Sequence, residues 1–176
     1  MKPRFDICLG LVLGSEGGYN NDKDDHGGAT NGGITQATYD GWRIGRGFGR
    51  QPVLGISGDE IRQIYFDLYW TPGRCASLPL PLDYVHFDGC VNHGNGQAAK
   101  FLQRALGVAE DGVVGPHTLR AVGEDARAGD TGNIIRIILS QREIFYHDLV
   151  KRDESQRKFL AGWLNRIAHI RKVIGQ

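Results

Sequence analysis

The 176-residue chain contains few cysteines and no long apolar run. Its three cysteines, Cys8, Cys75 and Cys90, are an odd number without motif spacing. This argues against a disulfide framework and favours synthesis in a reducing compartment. No apolar stretch approaches the roughly 18 residues that a membrane-spanning helix needs. The composition therefore predicts neither a disulfide-stapled small domain nor an integral membrane protein.

A secretion signal is also poorly supported. The apolar stretch at residues 7–13 is at the short limit for a signal peptide, and Asp6 precedes it. No small-x-small cleavage site follows. We therefore interpret residues 3–14 as a helix of the mature protein, and we expect synthesis in the cytoplasm without a signal peptide.

The formal net charge is only +1, but it is unevenly distributed. Residues 1–40 carry six acidic and three basic side chains, whereas residues 151–176 carry seven basic and two acidic ones. We predict no nucleic-acid partner. The basic C-terminal segment favours either an ordinary solvated helix face or contact with an anionic membrane or lipopolysaccharide.

Apolar residues recur mostly at helical spacing, which predicts a mainly α protein. Residues 17–34 are too rich in Gly, Asn and Asp for a helix, so they predict a loop or a small β-hairpin. A capping box, Ser57 with Glu60, marks one helix start. The predicted helices cover residues 3–14, 35–45, 57–70, 83–93, 95–106, 116–122, 132–151 and 155–174.

The segment SEGGYNNDKDDHGG, residues 15–28, places four carboxylates in a polar stretch. A calcium loop is one interpretation, because Asp22, Asp24 and His26 fall at EF-hand spacing. Gly33, however, stands where that loop needs a bidentate glutamate. A solvated, turn-rich loop is the interpretation that composition alone favours.

Acid–base chemistry on a glycoside is the third interpretation. It needs a carboxylic acid whose pKa is raised in a partly apolar setting, and a second polar group that places water or stabilises positive charge. Glu16, at the end of an apolar helix, suits the first role. Asp25 or Asp22 suits the second, and Thr30 or Thr35 could orient the water.

The ungapped stretch from Glu16 to Thr35, with EGGY, GGATN and GIT, closely resembles the N-terminal signature of glycoside hydrolase family 108. That family holds N-acetylmuramidases of phage endolysin and prophage lysozyme type. The resemblance implies a lysozyme-like fold, Glu16 as the catalytic acid, and Asp25 as its partner. Thr30 lies one residue short of the threonine that follows the aspartate in phage-type lysozymes. Tyr19 is the best aromatic candidate for sugar contact, with Asp22 and Thr35 beside it.

Residues 84–122 resemble the predicted peptidoglycan-binding region that accompanies the family. The matching motifs are D88-x-x-V-N92-x-G94, the Leu102-Gln103 run, and D111-G112-x-x-G115-x-x-T118. We therefore expect a catalytic region at 1–80 and a helical peptidoglycan-binding region at 81–176, packed as one compact monomer. Val113 is expected in the core of the helical region. Asn92 and His93 are candidates for contact with the sugar chain, although local capping or packing explains them equally well.

Three rival functions remain open. A lytic transglycosylase would use Glu16 alone. A catalytically silent wall-binding module would need no acid. A zinc amidase could use His86, Cys90 and His93, which share one helix face at i, i+4 and i+7. Buried Cys and His are commonly core residues, so we predict no metal and no cofactor.

The function that the sequence and the resemblance predict is hydrolysis of the β-1,4 bond between N-acetylmuramic acid and N-acetylglucosamine in peptidoglycan. An enzyme made without a signal peptide would need a holin or a dedicated export path to reach the wall. In the tail, Phe159, Trp163, Ile167, Ile170 and Ile174 form one stripe among basic residues. We expect this stripe to pack on the domain, with membrane contact as the alternative.

Overall fold

The computed structural model describes residues 3–14 and 30–176. These residues form eight α-helices and one two-stranded hairpin, which confirms the predicted class: mainly α and lysozyme-like, with a small β-hairpin. None of the described helices is long and apolar enough to cross a bilayer. The strands are β1 (Thr30–Asn31) and β2 (Ile34–Thr35), and the helices are α1 (Pro3–Leu13), α2 (Gln36–Gly45), α3 (Gly58–Tyr65), α4 (Leu82–His93), α5 (Asn95–Ala105), α6 (Pro116–Ala128), α7 (Thr131–Arg152) and α8 (Arg157–Ile174).

The chain divides into two compact units, here called the N-terminal unit (Met1–Pro72) and the C-terminal unit (Gly73–Gln176). The expected catalytic and peptidoglycan-binding regions, and their packing as one domain, stay predictions.

Helix α1 is held in the N-terminal unit by its apolar face. Phe5 is fully buried and meets Phe66 and Trp70 edge to face, with ring centroids 5.1 and 5.3 Å apart. On the exposed side, the Arg62 guanidinium donates to both oxygens of Asp6, at 2.6 and 3.0 Å. Aromatic packing and a bidentate ion pair together fix the helix that leads into the acidic segment.

The predicted capping box starts α3. Ser57 Oγ accepts from the Glu60 amide, and the Glu60 carboxylate accepts from the Ser57 amide. The same carboxylate accepts from the Tyr39 hydroxyl at 2.8 Å and from Arg43 at 2.6 Å, so it also ties α2 to α3. A π-helical turn over Phe66–Trp70 follows α3, where the sequence predicted one continuous helix.

The C-terminal unit is a helical bundle whose last helix packs through its apolar stripe. Ile167 and Ile170 are fully buried, and Trp163 stacks on Tyr146 with centroids 4.9 Å apart. Phe159, at the start of the stripe, is 46% exposed. These contacts with α7 favour the packing interpretation of the tail.

Gln103 organises the turn between α5 and α6. Its side-chain amide nitrogen lies 2.6 Å from Asp111 Oδ1 and 3.1 Å from Thr118 Oγ1, and its carbonyl accepts from the Gly112 amide at 2.9 Å. Gly112 has φ +78°, a conformation that favours glycine. The motif residues of this stretch therefore build a turn. Val113 is 62% exposed, which corrects the expectation that it belongs to the core.

Candidate functional site

Four of the predicted site residues, Glu16, Tyr19, Asp22 and Asp25, lie outside the described residues. In sequence they fall between the end of α1 at Leu13 and the start of β1 at Thr30. What the structure describes of this site is therefore helix α1 before the acidic segment and the β1–β2 hairpin after it.

The hairpin after the acidic segment is closed by a two-residue turn. Thr30 pairs with Thr35 and Asn31 with Ile34, in antiparallel register. The turn residues Gly32 and Gly33 have φ of +56° and +72°. Two consecutive positive φ angles are typical of the type I′ turn that matches the twist of a hairpin, and Gly-Gly adopts it without steric cost.

Hydrogen bonds to two other segments hold the hairpin in place. The Tyr65 hydroxyl, on α3, donates to the Gly32 carbonyl at 3.0 Å. The Asn31 amide donates to the carbonyls of Val53 and Leu54 at 3.4 and 3.3 Å. The tip of the hairpin is thus tied to α3 and to the turn at Val53–Gly55.

Tyr65→Phe is expected to loosen this hairpin while leaving the fold intact. Loss of one hydrogen bond to a backbone carbonyl should lower the free energy of unfolding by about 1 kcal/mol. Hydrogen exchange of the amides at 30–35 should rise. Tyr69→Phe, in ring contact with Tyr65 at 5.6 Å, is the matched control. Equal exchange in both variants would show that the Tyr65 hydroxyl does not anchor the hairpin.

Thr30 and Thr35, both predicted site residues, lie opposite each other in the hairpin. Both side chains are half-buried. Thr35 also has a structural task, because its hydroxyl accepts from the Thr38 amide at 3.2 Å as the N-cap of α2. Their predicted roles in placing water and in binding substrate stay predictions.

The other two predicted residues, Asn92 and His93, end helix α4 beside a buried charge network. Asp88, one turn earlier, is fully buried between Arg142 of α7 at 2.6 Å and Arg166 of α8 at 2.7 Å. Burial alone would raise the pKa of Asp88, but the two guanidinium groups hold it below its usual value. Asn92 is exposed, and its side-chain amide donates to the Asp88 carbonyl at 2.8 Å.

His93 is a neutral hydrogen-bond acceptor in this network. Its Nε2 lies 3.1 Å from Arg142 Nε and 3.2 Å from the Tyr146 hydroxyl. Arginine can only donate, so Nε2 carries no proton. Burial, and then the neighbouring Arg142 charge, lower the pKa of His93 to about 3. The ring also meets Phe101 and Phe145 edge to face, at 5.2 and 5.1 Å.

The pH dependence of the C-terminal unit should follow from His93 and Asp88. The folded pKa of His93 lies below its ordinary 6.5, so the unfolded chain binds more protons between pH 6.5 and about 3. Asp88 acts in the same direction at lower pH. The free energy of unfolding is therefore highest above pH 6.5 and falls as the pH drops through this window.

The substitution His93→Gln tests this assignment. Its Tm, measured by thermal melts between pH 6.5 and about 3, should depend less steeply on pH than the Tm of the wild type. His147→Gln, at an exposed position of α7, is the control. If Tm depends equally steeply on pH in the wild type and both variants, the assignment is refuted.

Sequence reasoning missed the two arginines that hold Asp88. The signal was present, since Arg142 interrupts an apolar stripe of α7 that includes Leu139, Tyr146 and Val150. A charged residue at a core position of a helix needs a buried partner. The sequence did not identify which residue that partner is.

A groove of about 300 Å³ lies between α5 and α7 in the C-terminal unit. We call it the α5–α7 groove. Phe101 and Phe145, the two rings that contact His93, line it. Gln141 lines it as well, and within the described part of the chain its side-chain amide has no hydrogen-bond partner although both polar atoms are buried. The remaining lining residues are Gln97, Arg104, Ile144, Asp148, Leu149 and Arg152.

Comparison with known proteins assigns both halves of the chain. Residues 9–94 match the family Glycosyl hydrolase 108, and residues 97–168 match the family described as Predicted Peptidoglycan domain. The solved structure of Brucella abortus SagA is 30% identical in sequence, with a TM-score of 0.82. The alignment covers 99% of this chain and 95% of that one. The chain belongs to glycosyl hydrolase family 108. No curated protein sequence matches it.

Membership of family 108 defines the class of chemistry. The protein is a glycoside hydrolase that acts on peptidoglycan, and its C-terminal unit carries the peptidoglycan-associated region. Peptidoglycan is therefore its partner, and the cell wall is where it acts.

Proposed function

We propose that this family 108 enzyme is an N-acetylmuramidase that hydrolyses the β-1,4 bond between N-acetylmuramic acid and N-acetylglucosamine. The observation that carries this proposal is the family match over residues 9–94, which includes the whole acidic segment. Glu16 is the general acid that protonates the leaving oxygen. Asp25 activates water or stabilises the developing oxocarbenium ion, and Thr30 helps to position that water.

The geometry of the N-terminal unit supports a rigid frame for this chemistry. Glu16 follows α1 by three residues, and α1 is fixed by Phe5 and by the Asp6–Arg62 pair. Thr30 begins a hairpin fixed by Tyr65. Catalytic groups act best when the elements that carry them are held in place. Tyr19, Asp22 and Thr35 are proposed to bind the sugar beside the catalytic pair.

The C-terminal unit is proposed to bind peptidoglycan at the α5–α7 groove. The groove combines aromatic faces, the Arg152 guanidinium and the unsatisfied Gln141 amide, which suits a ligand with sugar rings, amides and carboxylates. Its other arginine, Arg104, is paired with Glu110. His93 then acts mainly by packing under Phe101 and Phe145. Asn92, which precedes His93, is exposed, and we propose that its side chain contacts the sugar chain directly.

Purified sacculi test the activity directly. The protein is expected to lower their turbidity and to release soluble muropeptides. A catalytically silent module would sediment with the sacculi and leave the turbidity unchanged. That outcome would overturn the proposed function.

Gln141→Leu tests the groove. The variant should fold normally, because the amide it removes has no partner among the described residues. Co-sedimentation with sacculi at low enzyme concentration should weaken several-fold. Gln156→Leu, at a half-buried position of the same unit that does not line the groove, is the control. Unchanged sedimentation of the Gln141 variant would move the peptidoglycan contact elsewhere.

Membrane or lipopolysaccharide contact by α8 stays a prediction. Its apolar stripe contacts α7, and Arg166 and Arg171 are paired with Asp88 and Glu143. Arg157 is paired with Glu154. Ion pairing reduces the positive charge that these side chains present to an anionic surface.

A further inference from the structure

Three side chains with soft or borderline ligand atoms meet in the C-terminal unit. They are Cys75, in a 3₁₀ turn over Cys75–Ser77, and His86 and Cys90, both on α4. One ligand atom from each lies within 4.8 Å of the other two. The exposed fractions are 0, 2 and 0%. None of the three residues lines the α5–α7 groove, and the proposed glycosidase does not use them. The charge of Arg142, which pairs with Asp88, also acts on His86 and Cys90.

The structure changes the zinc hypothesis that the sequence suggested. His86 and Cys90 do lie together, as the i, i+4 spacing predicts. His93 does not join them, because its Nε2 is engaged by Arg142 and Tyr146. Cys75 takes its place, delivered by the turn that follows Arg74, whose φ is +55°. Cys75 lies eleven residues before His86 in sequence, so spacing alone could not reveal it.

His86 is oriented as a metal ligand is. Its Nε2 lies 3.1 Å from the Gly73 carbonyl, to which it donates. This bond commits Nε2 to the carbonyl, so Nδ1 is the nitrogen that faces Cys90, with which His86 hydrogen-bonds, and that a metal ion would use. A histidine that binds a metal through one ring nitrogen commonly donates from the other to a backbone carbonyl or carboxylate.

We propose that Cys75, His86 and Cys90 bind one Zn²⁺ in a buried structural site. Two thiolates and one divalent cation make a neutral group, which suits complete burial. Tetrahedral zinc with sulfur and nitrogen ligands places those ligand atoms about 3.5–3.8 Å apart, so zinc binding would draw them together by at most about 1 Å. No fourth His, Cys, Asp or Glu joins the group within the described residues, so these side chains supply three of the four ligands of a tetrahedral ion.

Burial separates this site from amidase chemistry. A catalytic zinc needs an open position that substrate can reach, whereas all three ligands here are inaccessible. The zinc would instead bind the turn at residues 73–77 to α4. Its removal should loosen that turn and leave the chemistry of the N-terminal unit intact.

Metal analysis of the intact chain tests the proposal. Protein expressed with added zinc and purified without chelators should contain about one zinc ion per chain, as measured by inductively coupled plasma mass spectrometry. Cys90→Ser and Cys75→Ser should lose it. Cys8→Ser should retain it, because Cys8 is equally buried but belongs to α1 of the N-terminal unit.

A measurement on the unmodified protein guards against variants that fail to fold. Chelated wild-type protein titrated with Co²⁺ should develop thiolate-to-cobalt charge-transfer absorption in the near ultraviolet. Its Tm should fall on chelation and recover with added Zn²⁺. The proposal is overturned if wild-type protein neither retains zinc nor shows the cobalt band. It is equally overturned if Cys75 and Cys90 are recovered as a disulfide, or if Cys8→Ser loses the metal as fully as Cys90→Ser does.

Discussion

Glu16→Gln is expected to reduce the release of soluble muropeptides by about 10²–10⁴-fold, the contribution of a positioned general acid. Glutamine keeps the size and polarity of the side chain but cannot deliver a proton to the leaving oxygen. Binding to sacculi should persist, because the proposed wall contact lies in the C-terminal unit. The measurement is the initial rate of muropeptide release at fixed enzyme concentration, together with co-sedimentation.

Asp24→Asn is the matched control for this experiment. It removes one carboxylate from the same segment, eight positions after Glu16 and next to Asp25. It should leave the rate within a few-fold of wild type, whereas Asp25→Asn should lower it strongly. Retention of full activity by Glu16→Gln, with the Asp24 variant behaving identically, would remove Glu16 from the mechanism.

Asp88→Ala is expected to cause the largest loss of stability of any single substitution in the C-terminal unit. The carboxylate is fully buried between Arg142 and Arg166, which are 0 and 10% exposed. Its removal leaves two cations without their counter-charge, and breaking a buried pair in this way costs about 3–5 kcal/mol. Asn92 would lose its hydrogen bond to the carboxylate, and Arg142, which also donates to His93, would lose its counter-charge. Denaturant titration would measure the loss in the free energy of unfolding, and hydrogen exchange would locate it in α4 and α7.

The exposed pair between Arg104 and Glu110 provides the contrast. Its side chains are 54 and 33% exposed, so Glu110→Ala should change stability far less than Asp88→Ala, because solvent screens the pair. Both substitutions remove a carboxylate that accepts from arginine, and they differ chiefly in burial. Similar losses in the two variants would show that the Asp88 network does not support the fold of the C-terminal unit.

The helices of this protein could largely be predicted from sequence because local signals specify them. Apolar spacing located α1, and the Ser57–Glu60 box located the start of α3. Local signals failed where the outcome depends on distant packing. Apolar type favoured Val113 as a core residue, but its side chain is 62% exposed. The π-helical turn after α3 likewise has no clear local signature.

The candidate site residues likewise include some that local sequence predicts and others that only the fold brings together. The residues of the acidic segment were selected by pattern and family resemblance, since Glu16 and Asp25 are close in sequence. The Asp88 network joins residues 54 and 78 positions apart, so it required the fold. The cluster of Cys75, His86 and Cys90 shows both cases, because helical spacing gave two members and only the structure gave the third.

Product analysis tests the central claim most directly. Sacculi digested with the wild-type protein would be reduced with borohydride and examined by liquid chromatography and mass spectrometry. An N-acetylmuramidase predicts new reducing ends on N-acetylmuramic acid, which borohydride converts to the alditol. Products ending in 1,6-anhydro-muramic acid, lighter by one water and resistant to reduction, would identify a lytic transglycosylase instead. Reducing ends on N-acetylglucosamine, or release of free stem peptides, would equally contradict the account.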